Sequence, residues 1–299
     1  MALNYNEYQE IRAESYQSIL DIADDYSSFF QRPCNPDSQE PPFQPFFRGQ
    51  AVAARNIQAS INFRKKAGEI IRPADIYNLF QNSVKTPGRT LFDLIAHIQH
   101  YHTGTRFVDF TTDINIAIYF ACEKHPDEDG AVFLWAYAPH LPEWYTTCAI
   151  CELELLVDEN VISIGKLSEI LLGKYKNLFP SDNINEVNGS IVSFLDSGMM
   201  VLPDRITYEN NERLYRQKGA FFICPPKFTH NLSNSDRWFS NAGNQEFVPD
   251  SAVDIFNAWD KRSLTKLIIP KELKSDLLRC LKEKGITEEY LLPKDEKRI

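Results

Sequence analysis

Long apolar runs are missing from this chain. The longest, AVFLWAYA at residues 131–138, falls far short of the roughly 20 residues that a membrane-spanning helix needs, so no membrane association is expected. The opening residues, MALNYNEYQE, carry neither the basic n-region nor the apolar h-region of a secretory leader, and the expected location is cytoplasmic. Cysteine is sparse and scattered: Cys34, Cys122, Cys148, Cys151, Cys224 and Cys280 make no disulfide framework and suit a reducing compartment. Positive charge is not in excess either. A net charge of −9 argues against broad, sequence-independent attraction to nucleic acid and leaves open only a local basic groove.

Common catalytic signatures are absent too. There is no P-loop, no GxGxxG after a strand, no GxSxG elbow and no HExxH. The CxxC of Cys148 and Cys151 has no second ligand pair downstream, as a zinc site would require. A redox CxxC opens a helix, whereas CAICELELLV, residues 148–157, reads as a strand. Buried strand cysteines are the expectation, and no metal. His97, His100 and His102 lie near a helix end without an acidic third ligand close by, which favours capping or ligand contact over metal binding. No internal repeat, heptad or low-complexity tail interrupts the chain.

What is present is the composition of a globular protein with a sizeable core: 299 residues, 43% hydrophobic and 24% charged. A single domain over 1–299 is expected, with a helical and proline-rich lead-in at 1–45 and a core at 46–285. Apolar positions Ile19, Ile22, Ala23, Tyr26, Phe29 and Phe30 follow the i, i+3, i+4, i+7 spacing of an amphipathic helix within residues 4–30. Proline then breaks the chain through residues 31–45. PFFRGQ, 45–50, reads as a buried strand on which Gly49 permits close approach. Arg48 on that strand needs an anionic partner, either an internal ion pair or a bound phosphate. One helix is expected from Pro73, with Ile76, Leu79 and Phe80 on one face. Basic residues Arg55, Arg64, Lys65, Lys66 and Arg72 form either a solvated face or a docking surface.

Residues 96–122, AHIQHYHTGTRFVDFTTDINIAIYFAC, organise the rest. Leu91, Leu94, Ile95 and Ile98 mark a helix over 91–101, stopped at Thr103-Gly104. RFVDFT, 106–111, is a strand, and Thr112 or Asp113 caps a second helix with Ile114, Ala117, Ile118 and Ala121 in one stripe. Around these elements crowd His100, His102, Thr105, Arg106, Asp109, Thr111 and Thr112. Caps and salt bridges account for such a cluster on its own; so does a ligand site at strand ends. Further strands are expected at 131–138, at 220–224 behind the charged segment ERLYRQKG, and at KLIIP from Lys266. Pro270 opens a last helix carrying Leu273, Leu277, Leu278 and Leu281, closed by Gly285. Residues 167–203 fit helix, strand or lid.

PFFRGQ, QHYHTGTRFVDFTTDINIAIYFA, ERLYRQKGAFF and KLIIPKELKSDLLRCLKEKGI together resemble the FRG-domain family, in family order from about Phe46 onward. His102-Thr103-Gly104 stands where a Gly-Leu-Pro type turn is common in that family. A more distant resemblance is to ADP-ribosyltransferases. It implies an α+β fold with a split, mostly antiparallel sheet core, and NAD as substrate. By that resemblance Arg48 and Gly49 hold NAD with His100, Thr105, Arg106, Thr111 and Thr112. The late catalytic glutamate is replaced by Gln217, with Glu209 and Glu212 upstream, so Gln217, Asp109 and Glu212 become the catalytic candidates. The implied function is ADP-ribosyl transfer to RNA or protein by a toxin of a toxin–antitoxin or phage-defence system, held by a neutralising partner. The alternative is a non-catalytic nucleotide-sensing or interaction module that kept the cleft. A nuclease using His100 and Arg106 ranks third.

Overall fold

The computed structural model describes residues 5–30, 42–62, 90–101, 104–156, 159–232, 241–253 and 263–293. The chain runs through β1 (Gln9–Arg12), α1 (Tyr16–Phe30), β2 (Gln44–Gln50), α2 (Leu91–Tyr101), β3 (Phe107–Thr111), α3 (Ile114–Cys122) and β4 (Gly130–Tyr137). Then follow α4 (Tyr145–Glu152), β5 (Ile162–Ser163), α5 (Ile164–Tyr175), α6 (Ile184–Ser197), β6 (Met199–Val201), α7 (Arg205–Glu209) and α8 (Glu212–Arg216). The last elements are β7 (Gly219–Ile223), β8 (Lys227–Phe228), β9 (Glu246–Val248), β10 (Leu264–Ile269), α9 (Lys274–Glu283) and α10 (Glu288–Leu291). The fold is α+β with a mixed seven-stranded sheet, ordered β1-β10-β4-β2-β3-β7-β6, beside a small β5-β9-β8 sheet.

Strand alternation divides the large sheet into faces. Phe46, Val108, Phe110, Phe133, Trp135, Met200 and Phe222 pack together on one face. The other face carries two separate apolar clusters. Phe47, Val132, Leu134 and Leu267 meet α1, α3 and α9, while Phe107, Val201, Phe221 and Ile223 meet α2, α4, α5 and α6. The boundary between these clusters falls between β2 and β3. There the ladder thins to a single pair, Phe47 with Thr111, against seven pairs for β2–β4 and five for β3–β7. The sheet is continuous at that pair and opens beyond it.

Several expected elements fall where the pattern put them: the strand at Phe46–Phe47, the helix Leu91–Tyr101, and the strand–helix unit capped by Asp113, whose side chain accepts from the Asn115 N–H. Gly104 has φ 92°, the conformation that ends a helix. Residues 148–157 differ. The CxxC lies on α4, a helix, followed by a 3₁₀ turn at Leu153–Leu155, and Val157 is outside the described residues. An apolar run has no period to separate strand from helix, and here burial on several sides decides. Both thiols are held protonated: burial, then Glu152, pushes Cys148 up to about 11, and burial pushes Cys151 well above its ordinary value.

The amphipathic lead-in helix begins only at Tyr16, where Ser15 and Ser18 cap each other's backbone N–H groups. Residues ahead of it form β1, paired in parallel with β10, so the lead-in contributes an edge strand to the sheet. Residues 167–203 resolve into the remainder of α5, then α6 and β6. The expected helix from Pro73 and the basic residues Arg64, Lys65, Lys66 and Arg72 lie outside the described residues.

Gly49 explains how α3 reaches the sheet. A Cβ at this position would sit 1.9 Å from the Ala117 carbonyl oxygen and 2.8 Å from the Ala121 nitrogen. Backbone atoms of α3 therefore occupy the side-chain space, and only glycine lets helix and strand meet this closely. Gly49→Ala is expected to lower stability by at least about 1–3 kcal/mol, the usual cost of overpacking. Denaturant unfolding checks this, and an unchanged midpoint would show that α3 can move away freely.

Candidate functional site

A cavity of about 380 Å³ opens where β2 and β3 part, within the range of small-molecule sites. Its walls include Phe47, Arg48, Gly49, Gln99, His100, Asp109, Thr111, Glu123, Arg213, Gln217 and Leu292. Residues remote in sequence thus converge because α2, α3, α8 and the end of α10 all border the gap between the two clusters.

Arg48 sits at the rim of the gap. Its Nη1 donates to the Asp109 carbonyl at 2.6 Å, satisfying an acceptor that the interrupted ladder leaves open. Its Nε is buried and, among the described residues, has no hydrogen-bond partner. Burial pulls the guanidinium below its ordinary range, against the pull of Asp109 and Cys224. Such a group calls for an acceptor.

Asp109 projects from β3 toward α2. Its Oδ2 accepts from Gln99 Nε2 at 3.1 Å, and Gln99 Oε1 in turn accepts from Thr105 Oγ1. Oδ1 is buried and faces His100 Nε2 at 3.5 Å. Burial pushes the carboxyl up, but His100, Arg48 and Gln99 outweigh it and hold Asp109 below the usual carboxylate range. The cavity therefore holds an ionised carboxylate beside a guanidinium.

The other expected site residues divide by position. Thr111 lines the cavity, but its hydroxyl donates to the Gln217 carbonyl at 2.7 Å and accepts from the Asp113 N–H. Gln217 also lines it, with Nε2 donating to the Leu291 carbonyl at 3.0 Å; this ties the C-terminal helix to the site. Gly49 is present through its backbone, for the packing reason above. Thr105, Arg106, Thr112 and Glu212 are not among the lining residues. Thr105 is fully buried and acts through Gln99. Arg106 is fully buried, with Nε 3.2 Å from Glu154 and donors to the carbonyls of Pro249 and Ser251, so it braces the interior. Thr112 is exposed, and Glu212 pairs with Arg216 on the surface of α8.

Gln99 and Arg213 in the cavity wall, and Asn211 against His100 beside it, escaped the sequence reading. Gln99 and Arg213 give no local signal that sets them apart from other polar helix positions. Asn211 is different. It caps α8 by accepting from the Leu214 N–H at 3.0 Å and meets His100 Nδ1 at 3.4 Å; an asparagine directly ahead of a helix is a recognisable cap. Among the described residues, no group of three His, Cys, Asp or Glu side chains could hold a metal ion.

Residues 44–130, from β2 to the first residue of β4, match the family model of the FRG domain. That stretch contains Arg48, His100, Asp109 and Thr111 but not Arg213 or Gln217. Comparisons with curated proteins and with solved structures return no match.

Two outcomes distinguish brace from site. Arg106→Ala removes the guanidinium that faces the buried Glu154 carboxylate, and should cost about 3–5 kcal/mol in denaturant unfolding. A loss below 1 kcal/mol would contradict the bracing role. Asp109 has a lowered folded-state value, so its stabilising contribution is complete above the ordinary aspartate value near 4 and is lost as pH falls through the lowered one. Asp109→Asn should therefore flatten the acid limb of a stability–pH curve, and an identical limb in the variant would contradict this.

Proposed function

We propose that the cavity binds NAD and that the protein transfers ADP-ribose from it to a macromolecule. One observation carries this reading: a guanidinium whose buried Nε has no hydrogen-bond partner among the described residues and an ionised carboxylate border one cavity at the gap in the sheet. Arg48 suits a diphosphate, for which arginine offers a planar fork that lysine lacks. Asp109 suits the ribose end. Departure of nicotinamide builds positive oxocarbenium character at C1′, and a fixed negative charge there lowers the barrier without a strong base. The single-pair junction of β2 and β3 also fits the split sheet expected of an ADP-ribosyltransferase-like core. A transferase of this kind suits a toxin–antitoxin or phage-defence setting, acting in the cytoplasm, held by a neutralising partner, with RNA or protein as acceptor.

Gln217 favours a second reading. It carries no charge, and its amide is engaged with Leu291, as suits a nucleotide sensor that lacks turnover. Labelled NAD incubated with purified protein and cell lysate separates the two: label on protein or nucleic acid supports transfer, and saturable binding without label supports sensing. Arg48→Ala should remain folded, at a cost of about 1–3 kcal/mol for the orphaned Asp109 carbonyl, and weaken NAD binding roughly 10- to 150-fold. Lysine should restore little of it. Asp109→Asn should slow transfer about 100- to 1,000-fold with little change in NAD affinity. Unchanged NAD binding in Arg48→Ala rules out this placement of the ligand.

A further inference from the structure

Two carboxylates stand among the lining residues of the cavity, Asp109 and Glu123, and they come from opposite sides of the gap. Asp109 belongs to β3, whose Phe107 packs with α2. Glu123 follows directly on α3, which lies over β2 through Gly49. Lys274, the first residue of α9, fixes that second wall. It is 2% exposed, and its Nζ donates to the carbonyls of Ala51, Lys124 and His125 at 2.8, 3.1 and 2.9 Å. The end of α3 is thereby pinned to the residue after β2, and Glu123 is held on the side of the cavity lined by Gly49, Gln50 and Ala51. The last carbonyls of a helix favour a cation, and Lys274 supplies it; a carboxylate at the same end does nothing for the helix. Glu123 Oε1 lies 3.2 Å from Lys124 Nζ, but the lysine side chain is 68% exposed and that of Glu123 only 14%. An ion pair held this loosely contributes little to stability. Gln50 on the same wall directs its Nε2 to the carbonyls of Val52 and Arg55, so it does not serve Glu123.

We propose that Glu123 makes the cavity selective for NAD over NADP, by accepting from the hydroxyls of the adenosine ribose and repelling a 2′-phosphate. The inference rests on the NAD reading above and deepens it. NAD is two ribosyl groups joined by a diphosphate. With the diphosphate on Arg48 and the nicotinamide ribose at Asp109, the second ribose runs toward the opposite wall, where Glu123 stands. A carboxylate facing a ribose accepts hydrogen bonds from its hydroxyls. A 2′-phosphate brings a charge of about −1.5 to −2 at neutral pH in place of a donor, so the same carboxylate turns it away. Discrimination of this kind comes from the repulsive contact as much as from the attractive one. Arg213, the other arginine of the cavity wall, donates to the His100 carbonyl and so stands on the Asp109 side. Lys124, the cation beside Glu123, is mostly in solvent and already faces that carboxylate.

Calorimetric titration of the full chain with NAD and with NADP tests this, and no turnover is needed. Wild type should bind NAD about 10- to 150-fold more tightly than NADP, the range for hydrogen bonds to a charged group. Glu123→Gln keeps an acceptor of the same shape and removes the charge. It should weaken NAD binding by no more than about 10-fold and strengthen NADP binding, bringing the two affinities within roughly threefold of each other. Its unfolding midpoint should match wild type, because only the loose pair with Lys124 is lost. Equal affinities for NAD and NADP in wild type overturn the proposal, as does tighter binding of NADP. A preference for NAD that persists undiminished in Glu123→Gln overturns it as well. In each of these cases NAD is bound, and loss of that binding in Arg48→Ala shows that the NAD reading stands without the role of Glu123. If wild type binds neither dinucleotide, the NAD reading fails and this inference falls with it.

Discussion

The hydrogen bond from Arg48 Nη1 to the Asp109 carbonyl takes the place of an inter-strand bond where β2 and β3 diverge, and much of the site depends on it. Only Phe47 and Thr111 pair across these strands, so a buried carbonyl beyond that pair needs another donor. A side chain supplies it. The substitution lets the sheet remain one body while two apolar clusters on the same face stay apart. A cavity results because each cluster closes over its own strands and neither covers the gap.

The polar groups of that gap are held from both ends. α3 approaches through the missing Cβ of Gly49, which sets one wall. α2 delivers Gln99 and His100 over Asp109, and its position follows from Phe92, Ile95 and Ala96 packing with Phe107 and Phe221. The short α8 brings Asn211 and Arg213 against His100, and Gln217 joins it to the C-terminal helix. Burial would ordinarily favour a neutral aspartic acid. The cationic and amide partners reverse that preference, which is what makes the cavity electrostatically suited to a developing positive charge.

Much of this was legible in the sequence where periodicity and caps were strong. The helix of Leu94, Ile95 and Ile98, the β-rich run of Phe107, Val108 and Phe110, and the Asp113 cap each declare themselves within a few residues. Crowding of His100, Asp109 and Thr111 on a short stretch pointed to residues that line one cavity with Arg48. Arg106 and Thr105 misled, because polarity near a strand end does not reveal direction: Arg106 turns to Glu154 in the interior, and Thr105 supports Gln99 from behind. Cys148 and Cys151 misled because a continuous apolar run suits strand and helix equally. Arg213 and Gln99 were invisible, since their role arises only when α8 and α2 meet across the gap, a contact between residues more than a hundred positions apart.

A crystal structure of the chain with NAD bound tests the central claim most directly. The account predicts the diphosphate within hydrogen-bonding distance of Arg48 and the nicotinamide ribose facing Asp109, in the gap between β2 and β3. NAD bound elsewhere on the fold, with that gap left empty of it, would contradict the account.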